Sequence, residues 1–166
     1  MSPENFFNEL DRSFPRSTFL IAFSGGLDST VLLHLCAAGA GAENLDRLLA
    51  VHVNHGLQPE AATWAMHCLK ACESLGLRSR VLTVDGHPER GQSPEEAARL
   101  ARYEALQSLV TDRSVVLVAQ HLDDQVETIL LQLLRGSGLK GLSGMPASTG
   151  FGAGVRAAVG VGLVAV

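Results

Sequence analysis

Lysine is scarce in this sequence: among 166 residues it occurs only as Lys70 and Lys140. The common phosphate-binding loop, G-x-x-x-x-G-K-[ST], needs a lysine directly before a serine or threonine, and neither lysine has that neighbour. The sequence therefore excludes this loop. Positive charge is limited overall, since 13 lysines and arginines stand against 17 aspartates and glutamates, a formal net charge of −4. Compact nucleic-acid-binding domains are usually basic, so the negative net charge of this chain gives little support for RNA or DNA binding.

Cysteine is also rare, occurring as Cys36, Cys68 and Cys72 without C-x-x-C spacing. Cys68 and Cys72 are one helical turn apart, which favours neighbouring core residues over a metal pair. Residues 1–16 lack the basic start and apolar core of a signal peptide, and the first 150 residues contain no membrane-length apolar run. We therefore expect a cytoplasmic globular protein with reduced, packed cysteines and no membrane association.

Apolar runs alternate with segments of helical periodicity along most of the chain. Strands are predicted at about 18–23, 48–53, 79–84 and 115–119. Helices are predicted at 28–38, from about 59 to 75, 94–110 and 123–134, and the first is expected to stop at Gly39 and Gly41. This alternation predicts an α/β fold, a doubly wound and mainly parallel sheet with helices on both faces.

The last eighteen residues differ from the rest in composition, being rich in glycine, valine and alanine. We therefore divide the chain into a main domain at 1–148 and a tail at 149–166. The tail is interpreted either as a fifth strand or as a non-native end left by truncation.

Residues 19–30 combine an apolar run, a Gly-Gly pair and the start of a second apolar run, which predicts a strand, a tight turn and a helix. Gly25 and Gly26 are expected to adopt backbone angles closed to other residues and to leave room for a ligand. The free amides and positive dipole end of the helix would then face an anion. Asp28 suits this place if a magnesium ion lies between it and a phosphate. Further hydroxyl donors are Ser24, Ser29 and Thr30. The alternative is an ordinary strand–turn–helix corner.

Three carboxylates crowd the start of the predicted helix at 123–134, namely Asp123, Asp124 and Glu127, directly after His121. Acids at a helix N-terminus are stabilised by the dipole, by roughly 0.3–1 kcal/mol each, and this is the simple explanation. Three acids and a histidine exceed what capping needs. Magnesium binding, recognition of an amine and removal of an ammonium proton are the functions we consider.

Cationic side chains form two smaller groups. Arg99 and Arg102 share a face of the predicted helix at 94–110, either as exposed residues with a Glu95–Arg99 pair or as a phosphate or carboxylate site. Lys140 lies in a glycine-rich loop that is expected to approach the same site. His52 and His55 lie at the end of a predicted strand, and we interpret them as packing residues.

These unusual residues fall at the predicted carboxyl ends of strands, at 24–26, 52–56 and 120–124. Ligands of open α/β sheets bind there, so a single cleft is expected.

Five motifs in order resemble those of the tRNA(Ile)-lysidine synthetase family, a branch of the N-type pyrophosphate-loop ATP pyrophosphatases. They are S-G-G-L-D-S at 24–29, the segment at 52–57, residues 96–99 with 102–103, residues 121–128, and residues 135–145. The resemblance covers roughly residues 18–147 and implies an adenine nucleotide α-hydrolase-like fold. It also implies a ligase that uses ATP and Mg²⁺ to attach free L-lysine to C2 of the wobble cytidine in a CAU-anticodon isoleucine tRNA, through an adenylated tRNA.

The resemblance further implies a set of site residues. ATP binding is assigned to Ser24, Gly25, Gly26, Leu27, Asp28, Ser29, Val53 and His121. Catalysis is assigned to Asp28, Asp123, Asp124 and Glu127, magnesium to Asp28, and substrate binding to Arg99, Arg102 and Lys140. A homodimer is compatible with this interpretation. The alternatives are a tRNA-thiolating or amidotransferase-type enzyme with the same loop, and an isolated ATP-binding core without turnover.

Overall fold

The computed structural model describes residues 2–56, 60–85, 87–88, 91–120, 148–151 and 154–160. Its helices are α1 (Pro3–Ser13), α2 (Leu27–Ala40), a 3₁₀ helix (Ala42–Arg47), α3 (Ala61–Ser74) and α4 (Pro94–Gln107). Its strands are β1 (Thr18–Ala22), β2 (Leu48–Asn54), β3 (Arg78–Thr83), β4 (Ser114–Gln120), β5 (Ser148–Phe151) and β6 (Gly154–Gly160). The predicted helix at 123–134 lies outside the described residues.

The strands form one sheet in the order β3-β2-β1-β4-β6-β5. All neighbouring pairs are parallel except β5 with β6, so the predicted mainly parallel sheet is confirmed. Residues 154–160, within the segment interpreted as a tail, supply a strand beside β4. The boundary drawn at residue 148 stays a prediction.

Helices cover both faces of the sheet because alternate residues of each strand point to opposite sides. Phe19 and Ile21 pack in a core formed with α1, α2 and α3. Leu20, between them, packs in a second core with Leu106 of α4. The chain thus runs from β1 to β3 with helices on one face and returns to β4 through α4 on the other. The order reverses between β1 and β4, where a doubly wound sheet opens a ligand crevice.

The end of α2 corrects one prediction. The helix continues through Gly39 to Ala40, and Gly41, with φ 64°, caps it. A Cβ on Gly39 would collide with the Pro3 carbonyl and lie 2.9 Å from Cβ of Phe7. Gly39 is therefore a packing residue that lets α1 approach α2, rather than a helix stop.

Arg47 ties α1 to the sheet. Its guanidinium lies 2.5 Å from the Asp11 carboxylate and donates to the Ser17 carbonyl at 3.1 Å. It also lies over the rings of Phe7 and Phe19, 5.8 and 5.5 Å from their centroids. The N-terminal helix is therefore anchored by both polar and aromatic contacts.

The three cysteines are free and buried. Cys68 and Cys72 pack in the core beneath α3, which confirms the predicted packing role. Burial raises the pKa of Cys36 to about 12 and that of Cys72 to about 11. Within the described ranges, every helix is too short or too polar to cross a bilayer.

Candidate active site

A cleft of about 650 Å³ lies at the carboxyl ends of β1, β2 and β4. This position follows from the topology, because the carboxyl ends of parallel strands meet at one edge and the strand order reverses there. One wall is the glycine loop, residues 23–29, which comprises the turn after β1 and the first residues of α2. The volume falls within the range of small-molecule sites, roughly 300–1,000 Å³. The lining residues with polar or aromatic side chains include Ser24, Asp28, Ser29, His52, Asn54, His55, Glu60, Trp64, Arg102 and Tyr103.

The two glycines of the loop have different roles. Gly25 has φ +82°, in the left-handed region that favours glycine, as the sequence predicted. Gly26 has φ −72° and ψ 167°, extended backbone open to any residue, so the same prediction is wrong for Gly26. A Cβ on Gly26 would lie 3.5 Å from Ser24 Oγ, an ordinary contact. Gly26 is the residue that caps α2, and only Gly25 needs its conformational freedom.

Side-chain hydroxyl groups form hydrogen bonds within the glycine loop and the first turn of α2. Ser29 Oγ and Thr30 Oγ1 each donate to the Gly26 carbonyl at 2.9 Å, and the Thr30 amide donates to it at 3.0 Å. Ser24 Oγ lies 3.0 Å from Ser29 Oγ and accepts from the Gly26 amide at 3.3 Å. The hydroxyls of Ser24, Ser29 and Thr30 were predicted to donate to a ligand. In the structure they form hydrogen bonds within the loop, and those of Ser29 and Thr30 donate to the Gly26 carbonyl oxygen.

Asp28 lies in the first turn of α2 and lines the cleft, and Leu27 stands at the rim with 79% of its surface exposed. Among the described residues there is no group of three His, Cys, Asp or Glu side chains able to hold a metal together. Asp28 with the hydroxyls of Ser24 and Ser29 is an oxygen-only donor set. Such a set suits Mg²⁺, which keeps waters and shares phosphate oxygens instead of using a full protein cage.

Two side chains outside the loop hold its first residues. His52 is buried and its Nδ1–H donates to the Phe23 carbonyl at 2.9 Å, which fixes the proton on that nitrogen. Trp64 of α3 donates from Nε1 to the Ser24 carbonyl, also at 2.9 Å. The packing interpretation of His52 is confirmed. Trp64 was not predicted, although it is the chain's single tryptophan and lies near the start of a helix that follows a strand end.

The opposite wall carries Val53, His55, Arg102 and Tyr103. His55 Nδ1 is buried without a hydrogen-bond partner within the described part of the chain. Burial lowers the pKa of His55, and electrostatic interaction with Arg102 and with His52 lowers it further. Arg99 is exposed and does not line the cleft as described, so of the predicted arginine pair only Arg102 is placed at this wall.

Five predicted site residues fall outside the described residues: His121, Asp123, Asp124, Glu127 and Lys140. The first four follow directly after β4, whose end contributes Val118 and Ala119 to the cleft. Their roles stay predictions.

A parallel sheet with a glycine loop and a helix N-terminus at its switch point defines a class of nucleotide-binding domain. The chain matches the sequence model of the PP-loop domain over residues 2–156 and belongs to that family. Membership in this family supports ATP binding.

Curated relatives extend this result. The chain is 48% identical over 141 residues to the tRNA(Ile)-lysidine synthase of Methylococcus capsulatus, covering 85% of this chain and 32% of the relative. It is 55% identical over 134 residues to the tRNA(Ile)-lysidine synthase of Pseudomonas aeruginosa, covering 81% and 30%. The chain thus spans about a third of the length of these relatives, and the predicted resemblance is confirmed.

A solved structure supports the fold. The U34-tRNA thiolase NcsA from Methanococcus maripaludis with its [4Fe-4S] cluster superposes with a TM-score of 0.58 at 18% identity. The match covers 82% of this chain and 52% of that one. At this identity the similarity shows a shared fold alone.

Proposed function

We propose that this chain is the ATP-using domain of a ligase that joins free lysine to C2 of the wobble cytidine in a CAU-anticodon isoleucine tRNA. The observation that carries the proposal is the identity of 48% over 141 residues and of 55% over 134 residues to proteins named tRNA(Ile)-lysidine synthase. The glycine loop and the start of α2 support an anion site for the phosphates.

The first step is adenylation. The cytidine O2 attacks the α-phosphorus of ATP, a P–O bond forms, and pyrophosphate leaves. The amides at the start of α2 face the departing anion, and the Gly26 carbonyl is kept occupied by Ser29 and Thr30, so it repels that anion less. Asp28 would hold magnesium, which supplies neutralisation of phosphate charge when bound.

The second step is attack by lysine. Its ε-amine forms a bond to C2 of the cytidine while the C2–O bond breaks and AMP departs with the oxygen. A free lysine amine has a pKa of about 10.4 and must lose a proton before it attacks. We assign Asp123, Asp124 and Glu127 to binding and deprotonating this amine. Arg102, with Arg99 and Lys140, is assigned to the negatively charged substrate groups.

The tRNA-thiolating alternative is less well supported. Enzymes of that branch generally rely on cysteines near the site, whereas Cys36, Cys68 and Cys72 are buried, and burial raises the pKa of each thiol. None of the three lines the cleft as described.

Two measurements test the proposal. Calorimetric titration with ATP and magnesium tests binding, and ATP–pyrophosphate exchange with CAU-anticodon tRNA, followed by incorporation of labelled lysine, tests the two steps. Asp28→Ala should lose magnesium-dependent ATP binding, whereas Glu127→Gln should keep binding and exchange but lose lysine incorporation.

The matched control is Asp112→Asn, because Asp112 is an exposed carboxylate just before β4, at the opposite end of the sheet from the cleft. It should behave as the parent chain does. Unchanged ATP binding in Asp28→Ala would contradict the loop assignment. Loss of ATP binding in Glu127→Gln would move that carboxylate to the magnesium site.

A further inference from the structure

Trp64 makes a contact that the proposed reaction does not use. Its Nε1 donates to the Ser24 carbonyl at 2.9 Å, across forty residues of sequence. The side chain lines the cleft and is 48% exposed, so an apolar ring is left partly in water at the site. A large aromatic side chain buries its surface where it can. Its place here is better explained by the hydrogen bond than by packing alone.

The contact determines the orientation of one peptide group. In a planar trans peptide the C=O and the following N–H point in opposite directions. Holding the Ser24 carbonyl at Trp64 therefore directs the Gly25 N–H away from the indole. The same bond engages a carbonyl oxygen that would otherwise present partial negative charge within an anion-binding loop.

Gly25 makes this constraint necessary. With φ +82° and no Cβ, it lets the Ser24–Gly25 peptide rotate more freely than any other residue would. A Cβ at this position would lie 2.9 Å from Trp64 Nε1 and 3.0 Å from Cε2, so the indole lies directly against the glycine backbone. His67, one turn along α3, stacks on the indole with ring centroids 5.5 Å apart and steadies it.

We infer that Trp64 is a positioning residue that locks the Ser24–Gly25 peptide in the anion-accepting orientation of the glycine loop. The locking itself follows from the loop geometry, and its consequence for ATP rests on the proposed function. The affected ligand class is a polyphosphate with magnesium.

The experiment removes the donor while keeping the ring. Because Trp64 is the only tryptophan in the chain, growth on β-(3-benzothienyl)alanine replaces this N–H alone with sulfur. Trp64→Phe is the second variant. Met66→Leu is the matched control, since Met66 is on the same helix, is 53% exposed and does not line the cleft as described.

Two readouts separate the inference from the proposed function. Without ligand, hydrogen exchange of the Gly26 amide, which donates to Ser24 Oγ at 3.3 Å, should accelerate by about 5-fold in both Trp64 variants, the size expected for one lost hydrogen bond. Amides in the middle of α2 should be unchanged in all proteins. Affinity for magnesium-pyrophosphate and for magnesium-ATP should fall by a similar factor, and Met66→Leu should match the parent chain.

Unchanged amide exchange in both Trp64 variants would overturn the inference whatever the ligand data show. Accelerated exchange with unchanged affinity for both ligands would overturn the link to anion binding. If the parent chain binds neither ligand, the proposed function fails, while the exchange data still decide whether Trp64 locks the loop.

Discussion

Adding one methyl group at Gly25 tests the geometry of the glycine loop. An L-residue in the left-handed region costs roughly 1–2 kcal/mol. The new Cβ would also lie 2.9 Å from Trp64 Nε1 and 3.0 Å from Cys68 Sγ, so the indole must move and its hydrogen bond to Ser24 weakens. That bond contributes about 1 kcal/mol. Alanine also lowers the conformational entropy of the unfolded chain, which raises the free energy of unfolding by about 0.4–1 kcal/mol. We expect Gly25→Ala to lower the free energy of unfolding by about 1–3 kcal/mol.

The neighbouring glycine is the matched control. Gly26 has ordinary extended angles, and its Cβ would make only a 3.5 Å contact with Ser24 Oγ. The small cost of alanine at a helix N-cap and the entropy gain nearly cancel, so Gly26→Ala should stay within about 0.5 kcal/mol of the parent chain.

Urea unfolding followed by far-UV circular dichroism, with a shared m value, measures both variants. The thermal midpoint of Gly25→Ala should fall by about 4–8 °C for a loss of 2 kcal/mol. Equal stability of the two variants, or a Gly25→Ala protein as stable as its parent, would refute the argument that the two glycines have different roles.

Two further predictions concern the layer formed by α1, α2 and α3. Gly39→Ala should destabilise the chain by about 2 kcal/mol or more, because its Cβ meets the backbone of Pro3 and the Cβ of Phe7, neither of which can yield as a flexible side-chain end would; denaturant titration checks this. Burial raises the pKa of Cys36 and Cys72 to about 12 and about 11, so both thiols should resist iodoacetamide at pH 8 in the native chain and react after unfolding in urea, as mass spectrometry would show. Rapid labelling of the native chain would contradict the buried placement.

The strands were predictable because a strand buried on both faces is a continuous apolar run. Residues 48–53 and 115–119 were placed correctly for this reason, within a residue or two at each end. The start of α4 was also predictable from neighbouring residues, because Ser93 caps the helix by accepting a hydrogen bond from the Glu96 amide at 3.1 Å. The loop at residues 23–29 was predictable because its glycines, hydroxyls and acid are contiguous in sequence.

Features that depend on distant partners were not predictable. Nothing local distinguishes Gly39, which packs against α1, from Gly41, which ends the helix. The contact of Trp64 with Ser24 requires knowing that α3 returns beside the loop. Arg99 and Arg102 share a helical spacing, yet only the position of α4 on the sheet decides that Arg102 is at the cleft.

The two-sided packing of the sheet has a consequence for how the domain opens. In the described residues, the core under α1, α2 and α3 and the core under α4 lie on opposite faces of the sheet, and Arg102 and Tyr103 of α4 line the cleft across from the glycine loop. Proteins open locally in cooperative units that often coincide with supersecondary motifs. A local opening of α4 would therefore widen the cleft at Tyr103 without unfolding the glycine loop on the other face.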